Sequence, residues 1–249
     1  MKAMQLHCVG ISVWMLAIPL AFAQTAPTDP GMKMVGSDGA VVIGQPYIAV
    51  ENVTVSKPLA DGTMLSHRTQ EQKWRDADGR FRKQTGVVMA DGQVEFRRAE
   101  IFDPVNHTLT TLEMGQKRAV VLHLPQGQEA EKLAALVDCG CRVMVRPGVQ
   151  VRTEALPNKT VAGVYGVGKR TTKVRPPGTI GNDREVVSTS DRWDSPELHI
   201  LLYSSLDDPR EKMVREVTTL ERRQPDTAVF QIPADFTVKD LPLHKDGSQ

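Results

Sequence analysis

Two cysteines one residue apart, Cys139 and Cys141, are the most reactive pairing in the sequence. In an oxidising compartment such a pair is expected to bridge, and the tiny strained ring is more easily reduced than a long-range disulfide. The chemistry on offer is thiol exchange or a small staple. The spacing favours the staple, because redox dithiols use two spacer residues at a helix N-terminus, whereas this pair follows a helical pattern. Cys139, Cys141 and His123 converging on a soft metal such as Cu(I) is the metal-handling form of the same idea.

A second candidate lies around Trp193, where Asp191, Asp194 and Glu197 gather beside an aromatic platform, as in a glycosidase cleft. The simpler reading is a turn at Asp194-Ser195-Pro196-Glu197, since turns collect Asp and Pro for backbone reasons. His67, His107, His123, His199 and His244 fall on separate segments, and no pair has ligand spacing on one element. Gly163, Gly166 and Gly168 lie in a strand-like run with no helix behind them. They suit a bulge or close backbone packing, not a phosphate cradle. No G-x-S-x-G or H-E-x-x-H motif is present. The residues indicate neither a catalytic set, nor a metal site, nor a cofactor.

The first 23 residues set the compartment. Lys2 precedes an apolar run from Val9 to Leu20, and Ala21-Phe22-Ala23 is a small-x-small cleavage site, so the mature chain is expected to begin at Gln24. The run is too short to span a bilayer, which takes roughly 20 apolar residues. Cys8 precedes the run and is no lipid-attachment cysteine. The reading is an exported protein, periplasmic or extracellular, with no transmembrane segment. Lys+Arg 31 against Asp+Glu 30 leaves a net charge of +1, which falls to zero once Lys2 is removed. Nucleic acid and anionic membrane surfaces both demand a basic excess, so neither is the main partner. Arg75, Arg80, Arg82, Lys83, Arg97 and Arg98 lie close in sequence and read best as a solvated polar sheet face. Three Asn-x-Thr matches at Asn52, Asn106 and Asn158 are read as chance.

The elements that position these groups are mostly strands. Asp61-Gly62, Asp78-Gly79 and Asp91-Gly92 are spaced a strand apart, and Asp-Gly suits hairpins because both residues tolerate positive φ. Strands are expected near 48–56, 63–75, 80–89, 94–102, 108–112 and 118–124. A β-bulge is expected across Arg97-Arg98, where the apolar phase switches parity. Thr63–Arg75 is polar on both faces apart from Met64, Leu65 and Trp74, which suggests an incompletely covered sheet. Glu129–Val137 has helical spacing, with Glu129 and Glu131 in the first turn. Further strands are expected at 142–145, 160–167, 169–174, 185–193, 198–204 and 213–221. A protruding loop at 176–182 and a helical turn at Thr227–Phe230 complete the pattern. The fold class is mainly β, a curved antiparallel meander sheet, half-barrel-like, with one short helix inserted. Its parts are a signal peptide (1–23), a flexible leader (24–46), a single β-rich domain (47–238) and a disordered tail (239–249).

Several motifs are familiar together: Leu59-Ala60-Asp61-Gly62-Thr63, Trp74-Arg75-Asp76, Asp78-Gly79-Arg80 and Ile101-Phe102-Asp103-Pro104-Val105. Gly178-Thr179-Ile180-Gly181-Asn182-Asp183-Arg184, Arg192-Trp193-Asp194-Ser195-Pro196-Glu197-Leu198 and the closing Pro225-Asp226 … Phe230 … Pro233-Ala234-Asp235-Phe236 continue the set. The chain resembles an uncharacterised family of exported proteins of acidobacterial type, which implies a location and a shape. It also resembles the LolA/LolB and RseB-type half-barrel, which implies a curved sheet holding lipid chains or peptides. The chain departs from that fold in having few helices and few aromatics. The resulting expectation is a non-enzymatic exported β-protein that binds a lipid, a peptide or an envelope protein partner. Trp74, Phe81, Met89 and Trp193 are the ligand-groove candidates, and Ile180, Asn182 and Arg184 are the partner-loop candidates. The alternatives are a redox or metal-handling protein using Cys139 and Cys141, and an envelope scaffold with no small ligand.

Overall fold

The computed structural model describes residues 41–124 and 148–241. The expected signal sequence, the segment Glu129–Val137, the strand expected at 142–145 and Cys139 and Cys141 lie outside the described residues. What is described is one open sheet. Its strands are β1 (Tyr47–Pro58), β2 (Met64–Arg75), β3 (Phe81–Val88), β4 (Val94–Asp103), β5 (Thr108–Glu113), β6 (Arg118–His123), β7 (Gln150–Val161), β8 (Val164–Arg175), β9 (Val186–Ser195), β10 (Ile200–Asp208), β11 (Glu211–Glu221) and β12 (Thr237–Leu241). The spatial order is β12-β6-β5-β4-β3-β2-β1-β11-β10-β9-β8-β7. Two antiparallel meanders, β1–β6 and β7–β11, are therefore joined where β1 pairs with β11, and only β12 runs parallel to its neighbour. Short 3-10 turns occur at Met114–Gln116 and Thr227–Phe230.

The Asp-Gly turns form the hairpins expected of them, by a different geometry. Gly62, Gly79 and Gly92 have φ of 86°, 82° and 85°, while their aspartates keep negative φ. Each glycine amide donates to the residue three before it, at 3.0 Å to Leu59, 3.2 Å to Asp76 and 3.0 Å to Met89. These are type I turns closed by a left-handed glycine, not two-residue primed turns. Asp61 and Asp91 then accept from the amides of Thr63 and Gln93 through Oδ1. The bulge across Arg97-Arg98 is present: Thr85 pairs with Arg98 and Gly86 with Phe96, leaving Arg97 out of register.

The strand expected at 160–167 is instead a hairpin. Ala162 (φ 47°) and Gly163 (φ 78°) turn the chain so that Val161 pairs with Val164. β12 carries ordered chain to Leu241, past the 238 boundary expected from sequence.

Register sorts the side chains onto two faces. On one, Tyr47, Arg75, Phe81, Phe102, Leu109 and Leu122 stand side by side across β1 to β6. Around this row lies the main core, joined by Val161, Val164, Leu198, Ile200, Leu202 and Val217 from the second meander. It seals the end of the sheet bearing the β7–β8 and β9–β10 turns. The opposite face buries a smaller cluster, Ala99, Ile101, Leu112 and Ala119. There Phe230, Ile232 and Phe236 of the C-terminal segment lie over β4 to β6. The Asp226 carboxylate caps that segment's 3-10 turn by accepting from the Ala228 amide at 2.9 Å.

Candidate functional site

One step along the strands from the apolar row, the same face becomes charged. Ala49, Lys73, Lys83 and Glu100 form the next cross-strand row, and Glu51, Glu71, Thr85 and Arg98 the one after. This is the Glu51 face. Glu51 is 1 % exposed and Lys73 4 % exposed, so the charges are interior groups. Such burial is tolerable only with pairing, and the pairing is dense. Lys73 Nζ lies 2.6 Å from Glu51 and 3.3 Å from Glu71. Arg215 of β11 reaches the same two carboxylates at 2.5 and 3.2 Å. Lys83 stands opposite Lys73 and contacts Glu100 at 3.4 Å, while Arg98 holds Glu100 from the other side at 2.8 Å.

Burial pushes the Glu51 carboxyl up, but Lys73 and Arg215 overcome it and hold the group at about 2. The carboxylate is locked anionic, a poor acid and a weak base.

The strand that reads as polar on both faces is exposed on both over Met64–Arg68, as an incompletely covered sheet would be, and is enclosed only in its second half. Its inward positions, Glu71, Lys73 and Arg75, are enclosed because they satisfy each other and the backbone. Arg75, 1 % exposed, lies over the Tyr47 ring at 4.7 Å and donates to the Gln45 and Leu198 carbonyls at 3.0 and 2.7 Å. Nor do the neighbouring basic residues form one surface. Arg75, Lys83 and Arg98 lie on the Glu51 face, Arg82 on the other, and Arg97 at the bulge.

The carboxylates around Trp193 are spoken for. Arg170 grips Asp191 with two contacts of 2.6 Å, and Arg192 grips Asp194 at 2.7 and 2.6 Å. Glu197 pairs with Arg222. Hydrogen bonding from Arg170 holds the Asp191 carboxyl below the usual range. None is presented as a free acid or base for glycoside cleavage. Among the described residues, no group of three or more His, Cys, Asp or Glu side chains is placed to hold a metal.

The groove candidates do not converge. Phe81 is buried in the main core. Trp74 lies on the opposite face, where Arg82 sits 5.6 Å from its ring centroid. Met89 is exposed at the β3–β4 hairpin tip. Trp193 packs edge-on against Tyr203 with centroids 5.5 Å apart, and its Nε1 donates to the Pro157 carbonyl at 2.9 Å. The ammonium of Lys159 rests 3.8 Å from the Trp193 centroid and 3.5 Å from that of Tyr203, so this aromatic pair already has a cation of its own. Burial lowers the Lys159 pKa, against the pull of Glu216 and Asp191. Gly166 and Gly168 form the floor under the indole: a Cβ at Gly168 would lie 2.5 Å from Trp193 Nε1.

In the 176–184 loop, Asn182 is an internal staple. Its side-chain amide donates to the Pro176 and Arg184 carbonyls at 2.9 and 2.6 Å, and its Oδ1 accepts from Ile180. Ile180 is half-buried, whereas Arg184 projects into solvent.

Sequence reasoning missed the four-charge group of Glu51, Glu71, Lys73 and Arg215. Its one sequence signal is the alternation of charge at 71, 73 and 75. It also missed the apolar character of the far end of the sheet. There the β1–β2 tip exposes Leu59, Met64 and Leu65, all near half exposed, and the β3–β4 tip exposes Met89. Beside the first tip a shallow cavity of about 410 Å³ is lined by Pro58, Met64, Val187 and Pro209 together with the polar Thr189, Asp207, Asp208 and Lys212.

No family model matches the chain and no curated protein matches it, so the resemblance to an acidobacterial-type exported family stands on its motifs alone. Among solved structures, the fold is similar to that in the MucA/MucB complex of Pseudomonas aeruginosa. The identity is 12% and the TM-score 0.36, over 78% of this chain and 59% of that one. It is also similar to LprF from Mycobacterium bovis, with 16% identity and a TM-score of 0.31 over 78% of this chain and 91% of that one. A LolA superfamily protein from Nitrosomonas europaea shows 11% identity and a TM-score of 0.31, over 78% and 94%. The chain spans about three fifths of the Pseudomonas chain it matches. These likenesses concern the fold and do not bear on ligand or activity. No helix among the described residues is long and apolar enough to cross a membrane.

Proposed function

We propose that the protein is an exported, non-enzymatic binding module of the cell envelope that takes a hydrophobic or extended ligand, or a partner segment, at the open end of its sheet. The observation that carries this reading is the apolar set at the β1–β2 tip. Leu59 and Met64 are exposed there, with Met64 and the exposed Val187 lining the cavity at the end away from the main core, while Leu65, the next residue of β2, is exposed on the opposite face. Exposed apolar clusters of this kind mark interaction sites. The charged rows of the Glu51 face support binding over catalysis, because Glu51, Glu71, Lys73 and Arg215 are locked against one another. Export itself rests on the N-terminal sequence.

Native mass spectrometry of the chain purified from a bacterial periplasm tests the reading. A co-purifying lipid or peptide mass is expected in the wild type, and its loss in Leu59→Ser/Met64→Ser/Leu65→Ser. A bare wild-type chain that also ignores lipid and peptide probes overturns it in favour of a scaffold.

A further inference from the structure

We propose that two copies of this chain associate through β7, antiparallel about a two-fold axis at Thr153, to form one continuous sheet. Among the described residues β7 is the last strand in the order, and Gln150 to Ala155 are each exposed. An edge like this presents a row of outward N–H and C=O groups, which natural proteins leave uncovered only where something guards or uses them. Here the guard comes late in the strand. The register breaks between Leu156 and Lys159, Pro157 has no N–H, and the Pro157 carbonyl is taken by Trp193. The stretch before that break, Gln150 to Leu156, is regular.

Its sequence is self-complementary in one register. Pairing two copies antiparallel about Thr153 sets Arg152 opposite Glu154 of the partner subunit, and Glu154 opposite Arg152 of the partner subunit. Val151 then faces Ala155 of the partner subunit. Opposite charges directly across an antiparallel pair are favourable and like charges are not. Centring the axis on Arg152 or on Glu154 sets that charge against itself. Within one chain the Arg152 and Glu154 side chains contact each other at 3.5 Å and remain 82% and 43% exposed, so both are within reach of a second copy. The other edge offers no such match, because an axis at Lys239 of β12 sets Val238 against Asp240. An isologous contact of this type closes on itself as a dimer. Seven residues a side make a small interface, so the association is concentration-dependent.

Sedimentation velocity of the purified chain from about 10 μM to 1 mM tests the pairing, a range that brackets weak protein dimers. The wild type is expected to shift from monomer to dimer. Arg152→Glu and Glu154→Arg are each expected to weaken that dimer at least tenfold while circular dichroism stays unchanged. An equimolar mixture of the two variants is expected to restore it, since every opposed pair is then of opposite sign. A wild type that stays monomeric throughout overturns the proposal, as do single variants that dimerise like the wild type or a mixture that fails to associate. None of these outcomes depends on the ligand reading at the hairpin tips, which the Leu59, Met64 and Leu65 variant tests separately.

Discussion

Glu51 and Glu71 stand directly opposite one another across β1 and β2, two carboxylates in one antiparallel pair. Like charges so placed repel, and they coexist because Lys73 and Arg215 each touch both. Arg215 comes from β11, so the group also ties the second meander to the first. Removing one cation leaves two enclosed carboxylates to share the other. Arg215→Met is therefore expected to destabilise the fold by about 3 kcal/mol, the cost of breaking a buried charge group from one side. Glu71→Gln added to Arg215→Met should recover part of the loss. Urea unfolding of the two variants measures both.

Acid sensitivity follows from the same group. The Glu51 carboxyl lies at about 2 in the folded chain against an ordinary value of 4.5. A depressed value means that the group's stabilising contribution is full above about pH 4.5 and drains away as pH falls toward 2. Asp191 and Asp208 are shifted in the same direction, by hydrogen bonding from Arg170 and Arg210 first of all. The melting temperature should fall steadily through this window. Glu51→Gln, less stable at neutral pH, should show a shallower fall.

The indole of Trp193 depends on bare backbone beneath it. Gly168→Ala would bring a methyl within 2.5 Å of Trp193 Nε1 and 2.9 Å of the Leu156 Cβ. Overpacking of this kind costs about 2–3 kcal/mol. The variant should melt lower, and its tryptophan emission should shift to the red as the ring leaves Pro157 and Tyr203. Unchanged emission would show that the ring does not rely on this contact.

Ala162 holds left-handed backbone, φ 47°, at the first position of a two-residue hairpin turn. Asparagine tolerates that conformation better than alanine, and Asn-Gly is the preferred pair in such turns. Ala162→Asn should stabilise the chain by about 0.5–1 kcal/mol, read as a higher denaturation midpoint at unchanged slope.

Much of the first meander was legible in the sequence, and the reasons are local. The Asp-Gly pairs marked its turns, and the parity switch at Arg97 marked its bulge. The two strands that went unread, β7 and β12, are the two edges of the sheet among the described residues. All but a few of their residues are exposed, so neither carries the apolar alternation by which a strand announces itself. The Ala162-Gly163 turn was hidden because alanine is no turn signal. Tertiary pairing accounts for the rest. Glu71, Lys73 and Arg75 look solvated until β1 and β11 supply partners from distant parts of the chain. The candidate site fared worse, since Trp74 and Phe81 lie on opposite faces although a single register row separates them. A parity argument within one strand cannot assign faces across several.

The joint between the meanders carries a cost in time. β1 acquires β2 at once, but its other edge must wait for β11, and the Glu51–Arg215 contact closes a separation of 164 residues. Contacts this remote slow folding, because the chain must be looped before they reward it. Until residues 212–221 pair, β1 has an open strand edge, and Glu51 and Glu71 have Lys73 but not Arg215. A chaperone that shields extended segments would find its substrate there, in the newly made chain and not in the finished molecule.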